Sequence, residues 1–249
     1  MEDLIKLEHA PPKVLVDIAN GHMSKLMDLS TQFKEKFPDS ELMVGNIANP
    51  KTFEIYCHIG VDYVRVGIGG GSACTTSANG GVHYPMASLV QECAELGKNY
   101  PKTKIVADGG FRNYSDVIKA LALGADYVML GGILNKCLES CGDNYNNQNE
   151  LISVEEAEKQ FKQAVSVYKE YRGMSTKEVQ RKWGKINVTT AEGIVKRNQV
   201  EYTIGGWVEN FKDYLKTNMS YCNKRSLEEY IGNVEYVFIT QNAFNRFNK

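Results

Sequence analysis

Short apolar runs alternate with segments of helical periodicity along the first 130 residues of the chain. The runs are nearly unbroken by polar residues, which is typical of strands that are buried on both faces of a sheet. Between the runs, apolar residues recur every three or four positions, which is typical of amphipathic helices. This alternation predicts right-handed βα units and a parallel sheet. The predicted strands are Val14–Ile18, Leu42–Asn46, Asp62–Val66, Lys104–Asp108 and Tyr127–Leu130, and the predicted helices lie near 26–37, 50–60, 87–96 and 115–123, with Asn49 and Ser115 as caps.

The pattern changes after the fifth predicted strand. Residues 141–149 are polar and rich in asparagine, which predicts an exposed loop, and Ser153 with Glu156 forms a capping box that begins an amphipathic helix. Residues 171–206 are polar, contain scattered glycines and lack a clean period, so we interpret them as a mobile flap over the site. Further helices are predicted near 208–215 and after Ser226, and a last short strand over Glu235–Thr240.

Glycines and a cysteine collect where the predicted strands end. The third strand leads into residues 67–74, the glycine loop, which contains four glycines and ends at Cys74. Glycine lets the backbone turn at positive φ and approach a ligand closely, and a thiol on such a loop suits nucleophilic chemistry once its pKa is lowered. Asp108-Gly109-Gly110 and Gly131-Gly132 close two more strands, so three glycine-bearing ends predict a shared phosphate site. The alternatives are a glycine-rich turn beside a structural cysteine, and an aspartate that caps a turn.

Composition excludes several classes of protein. The 249 residues suffice for one large α/β domain or two small ones, and the net charge of −1, with both signs interspersed, argues against a nucleic-acid partner. No apolar run is long enough to span a bilayer. The six cysteines lack paired spacing and follow no signal peptide, which predicts reduced thiols in a cytoplasmic protein. Cys137 and Cys141, four apart, could face one another on a helix; without nearby zinc ligands we interpret them as structural.

Several motifs occur in order along the chain: Gly69-Gly-Gly-Ser-Ala-Cys74-Thr-Thr, Gly81-Val-His-Tyr-Pro85, Ala107-Asp-Gly-Gly110, Ala120-Leu-Ala-Leu-Gly-Ala125, Val128-Met-Leu-Gly-Gly132 and Tyr171-Arg-Gly-Met-Ser175. Taken together, they resemble the IMP dehydrogenase/GMP reductase family, from about Val14 to the C-terminus. Thr75-Thr76, Ala191-Glu192-Gly193 and Phe238-Ile-Thr-Gln241 resemble the reductase branch. By contrast, Tyr171-Arg-Gly-Met174 and Met219-Ser-Tyr-Cys222 are also similar to the dehydrogenase.

The resemblance implies a TIM-type (β/α) barrel, with residues 1–249 as a single partial domain that holds the C-terminal five βα units, the flap and C-terminal helices. It implies NADPH-dependent reductive deamination of GMP to IMP and ammonia through a covalent thioimidate on Cys74. Thr76 and Glu192 would relay the proton that ammonia takes; the alternative for Glu192 is a solvated flap residue. By the same resemblance, the substrate-binding residues are Ser72, Asp108, Gly109, Gly110, Gly131, Gly132, Gly173, Met174, Ser175 and Gly193. The cofactor-binding residues are Asp17, Ile18, Ala19, Ile68, Gly69, Met174, Thr217, Asn218, Met219 and Ser220, and the carbonyls of Gly69, Gly71 and Cys74 would hold K⁺.

The chain also departs from the family. Thr189 stands where the family has an arginine that holds the base, and Ser77 stands where the reductase has an arginine. The family carries roughly a third of its chain before the equivalent of Val14, and about five strands remain where a closed barrel needs about eight. Unpaired strand edges predict either a second polypeptide that supplies the missing strands, which we favour, or self-association. The resemblance implies a tetramer in the second case. The alternatives in function are NAD-dependent oxidation of IMP to XMP, a non-catalytic nucleotide-binding subunit, and a phosphate-binding barrel with another substrate.

Overall fold

The computed structural model describes residues 1–188, 190–191 and 193–247 of the chain. Its first half alternates strands with helices, as the apolar pattern predicts. In chain order the elements there are α1 Glu2–Ile5, β1 Lys13–Asp17, α2 Ser24–Lys36, β2 Glu41–Ile47, α3 Pro50–Ile59, β3 Tyr63–Val66, α4 Thr76–Gly80, α5 Met86–Gly97, β4 Lys104–Asp108, α6 Tyr114–Ala122 and β5 Tyr127–Met129. The second half contains α7 Gly132–Asn135, β6 Asn144–Tyr145, β7 Leu151–Ile152, α8 Val154–Lys162, β8 Tyr168–Arg172, α9 Lys177–Lys182, β9 Val195–Gln199, α10 Ile204–Tyr221, α11 Leu227–Tyr230 and α12 Gln241–Phe247.

Local sequence sets the ends of the helices. The Asn49 side chain accepts a backbone N–H of the first turn of α3, Pro50 is the first helical residue, and Gly60 ends the helix at φ 83°. For α6 the predicted cap is wrong: Asn113, not Ser115, accepts the backbone N–H of Asp116, because Ser115 already lies inside the first turn.

The first five strands form a parallel sheet in chain order, β1-β2-β3-β4-β5. The side chains on one face of the sheet pack against the helices into one core. The fully buried members of this core include Phe33, Leu42, Val44, Phe53, Tyr56, Val64, Val66 and Leu89. A sheet in sequential order with its helices on one face is consistent with a run of βα units of a TIM-type barrel, whereas a doubly wound sheet carries helices on both faces.

The other face of the sheet is open. Leu15, Tyr127 and Met129 point to this side and remain 53%, 52% and 46% exposed. Parallel sheets are normally covered on both faces. Within the described residues β1 and β5 are edge strands, and no sheet closes into a barrel. The fold is therefore α/β with an open five-stranded parallel sheet.

A second, antiparallel sheet has strand order β7-β6-β8-β9 and includes parts of the predicted exposed loop and of the predicted flap. Residues 141–149 were predicted to be an exposed loop and are largely exposed, but they also contain β6 and a hairpin turn that Asn146 organises. Its side-chain oxygen accepts the backbone N–H groups of Gln148 and Glu150, both at 2.9 Å. Part of the flap is also regular: β8 pairs with β9, and α9 lies between them in the chain.

The last part of the chain differs from prediction in three places. The helix predicted near 208–215 extends over the whole of α10, capped by Thr203. Residues 235–240 form no strand, since no other strand pairs with them, and Val237 and Phe238 are 82% and 79% exposed. Cys137 and Cys141 do not share a helix, because α7 ends at Asn135. The described residues form no helix that combines the length and the apolar character needed to cross a membrane.

Candidate functional site

Two glycine-bearing loops meet at the carboxyl ends of β3 and β4. Gly67 has φ 128°, and a Cβ there would lie 2.2 Å from the carbonyl oxygen of Asp108. Gly109 has φ 101°, and a Cβ there would lie 3.1 Å from the backbone of Gly70. Only glycine combines this backbone conformation with so close an approach. The glycine loop therefore packs backbone to backbone on residues 108–110.

Cys74 ends the glycine loop with its side chain partly buried. Its backbone N–H donates to the carbonyl of Gly71 at 3.0 Å, which closes a tight turn. Its thiol donates to the Thr76 hydroxyl, with Sγ and Oγ1 3.2 Å apart. A hydroxyl in contact with a thiol is placed to take part in moving its proton. The structure thus brings together two of the three predicted catalytic residues, whereas Glu192 lies outside the described residues.

Three other cysteines are poor nucleophiles. Burial raises the pKa of the Cys57 thiol to about 11 and also raises the pKa values of Cys93 and Cys137. A raised pKa keeps a thiol protonated, and only the thiolate is strongly nucleophilic. The two remaining thiols are the exposed Cys141 and the partly buried Cys222. Cys74 is thus the accessible thiol on the glycine loop.

Ser72, Gly131, Gly132 and Tyr171 form what we call the hydroxyl corner. A Cβ on Gly132 would lie 3.1 Å from the Ser72 hydroxyl oxygen, and one on Gly131 would lie 2.6 Å from the Tyr171 hydroxyl oxygen. Hydroxyl groups next to glycine backbone are suited to the oxygens of a phosphate. Sequence analysis predicted the first three residues but missed Tyr171, which it treated only as the start of the flap.

The Asp108 carboxylate is held by two side chains from neighbouring strands. Its Oδ2 accepts the Asn46 Nδ2 at 2.7 Å and the Arg65 Nη2 at 2.8 Å. The Asn46 amide also donates to the carbonyl of Gly67 at 2.8 Å, which ties the carboxylate to the glycine loop. The partners of Asp108 are therefore side chains of β2 and β3, unlike those of a turn-capping aspartate. Gly110, two residues on, is exposed at φ 88°.

Arg65 is 7% exposed and retains unused hydrogen-bond donors. Its Nη1 lies 3.0 Å from Oδ1 of Asp17, but neither Nη1 nor Nε has an acceptor in hydrogen-bond geometry. We regard the Asp17 contact as a charge pair only. Buried guanidinium donors are normally satisfied, so this site fits a ligand that brings an oxygen acceptor. The roles of Arg65 and Asn46 were not predicted from the sequence. The signal that could have indicated Arg65 was the presence of this one charged residue inside an apolar strand.

Three predicted cofactor-binding residues, Asp17, Ile18 and Ala19, lie at the end of β1 and the start of the loop that follows it. The backbone N–H of Ile18 donates to the carbonyl of Gly45 at 2.8 Å, and that of Asn46 donates to the carbonyl of Ile18 at 2.6 Å. Ala19 is exposed immediately beyond, and the Asp17 side chain is 63% exposed. These residues thus line the open end of the sheet next to β2. Ile68 of the glycine loop is partly buried at the end of β3.

His22 and Tyr56 fix the same loop to β2 and α3. His22 Nε2 accepts the backbone N–H of Ala48 at 3.1 Å, and Nδ1 lies 2.7 Å from the Thr52 hydroxyl. These partners require a neutral imidazole with its proton on Nδ1, and burial lowers the pKa of His22 in agreement. The buried Tyr56 hydroxyl donates to the carbonyl of Gly21 at 2.7 Å, and burial raises its pKa to about 12.

The base of the flap packs against the glycine loop. The backbone N–H of Ile194 donates to the carbonyl of Ala73 at 3.0 Å, and Gly193 forms an isolated bridge with Cys74. A Cβ on Gly173 would lie 2.7 Å from the Ala73 carbonyl oxygen. The predicted flap residues Gly173 and Gly193 therefore lie next to Cys74. This close approach is possible because neither residue carries a side chain.

The other predicted flap residues are less constrained. Met174 is 64% exposed, and Ser175 is partly buried, with its carbonyl accepting the Gln180 side chain at 3.0 Å. Glu192, predicted for the proton relay, and Thr189, which stands where the family has its base-holding arginine, lie outside the described residues.

The predicted cofactor segment Thr217–Ser220 does not contact the loops at the ends of β1, β3 and β4 in the described structure. Thr217, Asn218, Met219 and Ser220 lie in α10. The Thr217 hydroxyl donates to the carbonyl of Asp213, Asn218 accepts the Tyr230 hydroxyl at 2.6 Å, and Met219 packs in the cluster around Tyr230. Their contacts are with α10 and α11 and, through the cluster of Met219, with Ile118 and Leu121 of α6.

Comparison with known proteins places this arrangement in context. The family model described as "IMP dehydrogenase / GMP reductase domain" matches residues 6–247. The chain is 33% identical over 228 residues to the inosine-5'-monophosphate dehydrogenase of Chlorobaculum parvum, covering 91% of this chain and 45% of the relative. It is 33% identical over 249 residues to GMP reductase 2 of Mus musculus, covering 96% of this chain and 66% of the relative. It is 30% identical over 250 residues to the GMP reductase of Vibrio vulnificus, covering 100% of this chain and 67% of the relative.

The chain therefore spans less than half the length of the dehydrogenases and about two thirds of the reductases that it matches. Because both kinds of relative match at similar identity, the comparisons do not separate the two reactions. Members of this family are oxidoreductases that act on purine nucleotides, as the names of these relatives state. The chain belongs to the IMP dehydrogenase/GMP reductase family.

Proposed function

We propose that this chain is GMP reductase-like and carries the residues for NADPH-dependent conversion of GMP to IMP and ammonia. The observation that supports it most is the contact between the Cys74 thiol and the Thr76 hydroxyl, 3.2 Å apart at the end of the glycine loop. A nucleophile beside a hydroxyl relay, on a loop that lets a planar ring approach, suits addition to a purine.

In this proposal Cys74, as thiolate, forms a bond to C2 of GMP. The 2-amino group takes a proton through Thr76 and Glu192, and the C2–N bond breaks to release ammonia. The resulting thioimidate carries C2 on sulfur. C2 would gain the hydride that NADPH supplies when bound, and the C2–S bond then breaks to release IMP and restore the Cys74 thiolate. A thiolate suits both steps, because it is a strong nucleophile and a good leaving group.

The remaining substrate contacts follow from the side chains at the strand ends. Asp108, oriented by Asn46 and Arg65, accepts the ribose hydroxyls. The hydroxyl corner, with the backbone of Gly109 and Gly110, binds the phosphate. The purine base would lie against the flap residues Gly173, Met174, Ser175 and Gly193.

The residues at the end of β1 and β3 fit a nicotinamide dinucleotide. The unsatisfied Nε and Nη1 of the buried Arg65 can donate to a carboxamide oxygen, and the exposed Asp17 can accept its amide hydrogens. The rest of the dinucleotide would be held by Ile18, Ala19, Ile68, Gly69 and Met174. NADPH, when bound, supplies the hydride. The segment Thr217–Ser220 stays a prediction.

The test combines turnover with trapping. The chain is incubated with GMP and NADPH while NADPH absorbance is followed, and separately with a 2-halo purine nucleotide before peptide mass spectrometry. We expect the adduct on the peptide that contains Cys74, and neither adduct nor turnover with Cys74→Ser. Cys141→Ser is the matched control, because Cys141 is exposed. An adduct that follows Cys141 contradicts the proposal. GMP binding without turnover, unchanged in Cys74→Ala, supports a non-catalytic nucleotide-binding subunit instead.

A second candidate is IMP dehydrogenase-like oxidation of IMP to XMP with NAD⁺. It is favoured by the dehydrogenases, which match this chain as well as the reductases do. Formation of NADH with IMP, and no NADPH consumption with GMP, would identify it. Both reactions use the same Cys74 adduct, so trapping alone does not separate them.

We also propose that further polypeptide covers the open face of the sheet. Its exposed apolar residues and two unpaired edges are those of an interrupted parallel sheet. A βα unit takes about 30 residues, so three more strands, for a total of about eight, need roughly 100 residues. About a third of each reductase relative lies outside the match, which agrees with this length. The occupant we propose is a segment with parallel strands, on the same or a separate polypeptide.

Size-exclusion chromatography with light scattering tests this proposal. We expect the 249-residue chain alone to self-associate, and co-expression with the first third of a GMP reductase to give a 1:1 complex. Leu15→Lys and Met129→Lys should prevent the complex, whereas Val237→Lys, at an exposed apolar residue outside the sheet, should not. An active monomer would contradict the proposal, and a symmetric tetramer of this chain alone would assign the face to a second copy.

A further inference from the structure

Ser77 lies against the glycine loop that carries Cys74. Its hydroxyl donates to the carbonyl of Gly69, with 3.2 Å between the oxygens. The packing here is tight, because a Cβ on Gly69 would lie 2.8 Å from the Ser77 Cβ and 3.1 Å from its backbone nitrogen. Gly69 has φ 77°, so no other residue is readily accommodated at this contact.

The same loop is held by its own backbone at several points. The N–H of Cys74 donates to the carbonyl of Gly71 at 3.0 Å, and the N–H of Asn79 donates to the carbonyl of Thr75 at 2.9 Å. The flap contributes the N–H of Ile194 to the carbonyl of Ala73, also at 3.0 Å. Hydrogen bonds therefore hold the loop from Gly69 through α4.

These contacts do not fit the predicted K⁺ site. Backbone carbonyls bind K⁺ by replacing its hydration shell, so their lone pairs must converge on the ion. Here the Gly69 carbonyl already accepts the Ser77 hydroxyl and the Gly71 carbonyl already accepts the Cys74 N–H, so one lone pair of each oxygen is engaged by a donor and not by a cation. Two of the three predicted carbonyl ligands are thus directed at donors. No group of acidic, histidine or cysteine side chains in the described residues is arranged to hold a metal ion.

We propose that Ser77 is a positioning residue that holds the Cys74 loop in place of a monovalent cation. The inference rests on the proposed role of Cys74 as nucleophile. It follows that the order of the loop, and any turnover that depends on it, is independent of K⁺.

Hydrogen–deuterium exchange of the peptide over residues 67–81 tests the inference without nucleotide. Exchange is compared in potassium chloride and in the chloride of a large organic cation at equal ionic strength. We expect the wild-type peptide to exchange equally in both. In Ser77→Ala we expect exchange about fivefold faster in the organic cation, the equivalent of one neutral hydrogen bond, with K⁺ restoring protection. Ser77→Thr, which keeps the hydroxyl, should behave as the wild type.

Ser115→Ala is the matched control, because Ser115 is an exposed serine on α6 that caps nothing. A wild-type peptide whose exchange slows saturably with K⁺ overturns the inference, and this arm needs no variant to fold. Equal exchange of Ser77→Ala and wild type in both media overturns it too. A parallel readout is turnover, where K⁺ should rescue Ser77→Ala but leave the wild type unchanged. Failure of the proposed function would appear separately, as absence of a nucleotide adduct on Cys74.

Discussion

The ion pair between Arg65 and Asp108 allows a quantitative test of the site. The two side chains are 8% and 20% exposed, and Nη2 lies 2.8 Å from Oδ2. A hydrogen bond to a charged group contributes about 1.5–3 kcal/mol, and the low exposure leaves little solvent screening, so we expect a coupling of about 2 kcal/mol. Arg65 also contacts Asp17 at 3.0 Å, but that carboxylate is 63% exposed, so we expect at most about 1 kcal/mol there.

Double-mutant cycles measure both couplings. Arg65→Met and Asp108→Asn, singly and together, are compared with the wild type by urea denaturation, and Arg65→Met with Asp17→Asn forms the matched control cycle. The cycle cancels the cost of removing the unsatisfied donors of Arg65 from the buried site. Isothermal titration of GMP should show weaker binding for both variants. Arg65→Met removes a partner that orients Asp108, and Asp108→Asn removes the carboxylate that we propose binds the ribose. An Arg65–Asp108 coupling below about 0.5 kcal/mol, or one no larger than that of the exposed pair, would refute the reasoning.

Three further predictions concern the loops around the site. Burial lowers the pKa of His22 in the folded state. The stability that neutral His22 contributes is therefore complete above its ordinary pKa of about 6.5 and is lost as the pH falls through the lowered folded-state pKa. Urea denaturation midpoints measured across this pH range will test the loss. Tyr56→Phe leaves the Gly21 carbonyl without its buried donor and should cost about 1–2 kcal/mol of unfolding free energy. Gly67→Ala should destabilise by more than about 2 kcal/mol and abolish nucleotide binding, because a Cβ cannot lie 2.2 Å from a carbonyl oxygen.

Each of these has a control within the chain. His22→Asn should flatten the pH dependence, and an unchanged slope would rule out His22 as its source. Tyr236→Phe, at an exposed tyrosine, should leave stability unchanged, and a loss equal to that of Tyr56→Phe would contradict the hydrogen-bond argument. Gly205→Ala, with open space around it in α10, should stabilise by about 0.5–1 kcal/mol. Tolerance of Gly67→Ala would show that the two loops do not pack as described.

Much of the fold follows from short-range patterns. The five strands, the caps at Asn49 and Ser153 and the stop at Gly60 are predicted because each depends on neighbouring residues. The failures have two causes. The cap at Ser115 was misplaced within one local stretch of sequence, two residues from the true cap Asn113. By contrast, residues 235–240 have strand-forming composition but no strand to pair with, and β6 pairs with β8, which the local pattern does not reveal.

The sequence by itself determined the alternation of strands and helices, the glycine-bearing strand ends and the position of Cys74 among them, because periodicity and backbone conformation are properties of adjacent residues. Only the tertiary structure decided which side chains meet there. Asp108 pairs with Arg65 and Asn46, 43 and 62 positions away, and Tyr171 reaches Gly131. Those partners depend on the register of neighbouring strands and on how the flap packs against the sheet, neither of which any single stretch of the chain specifies.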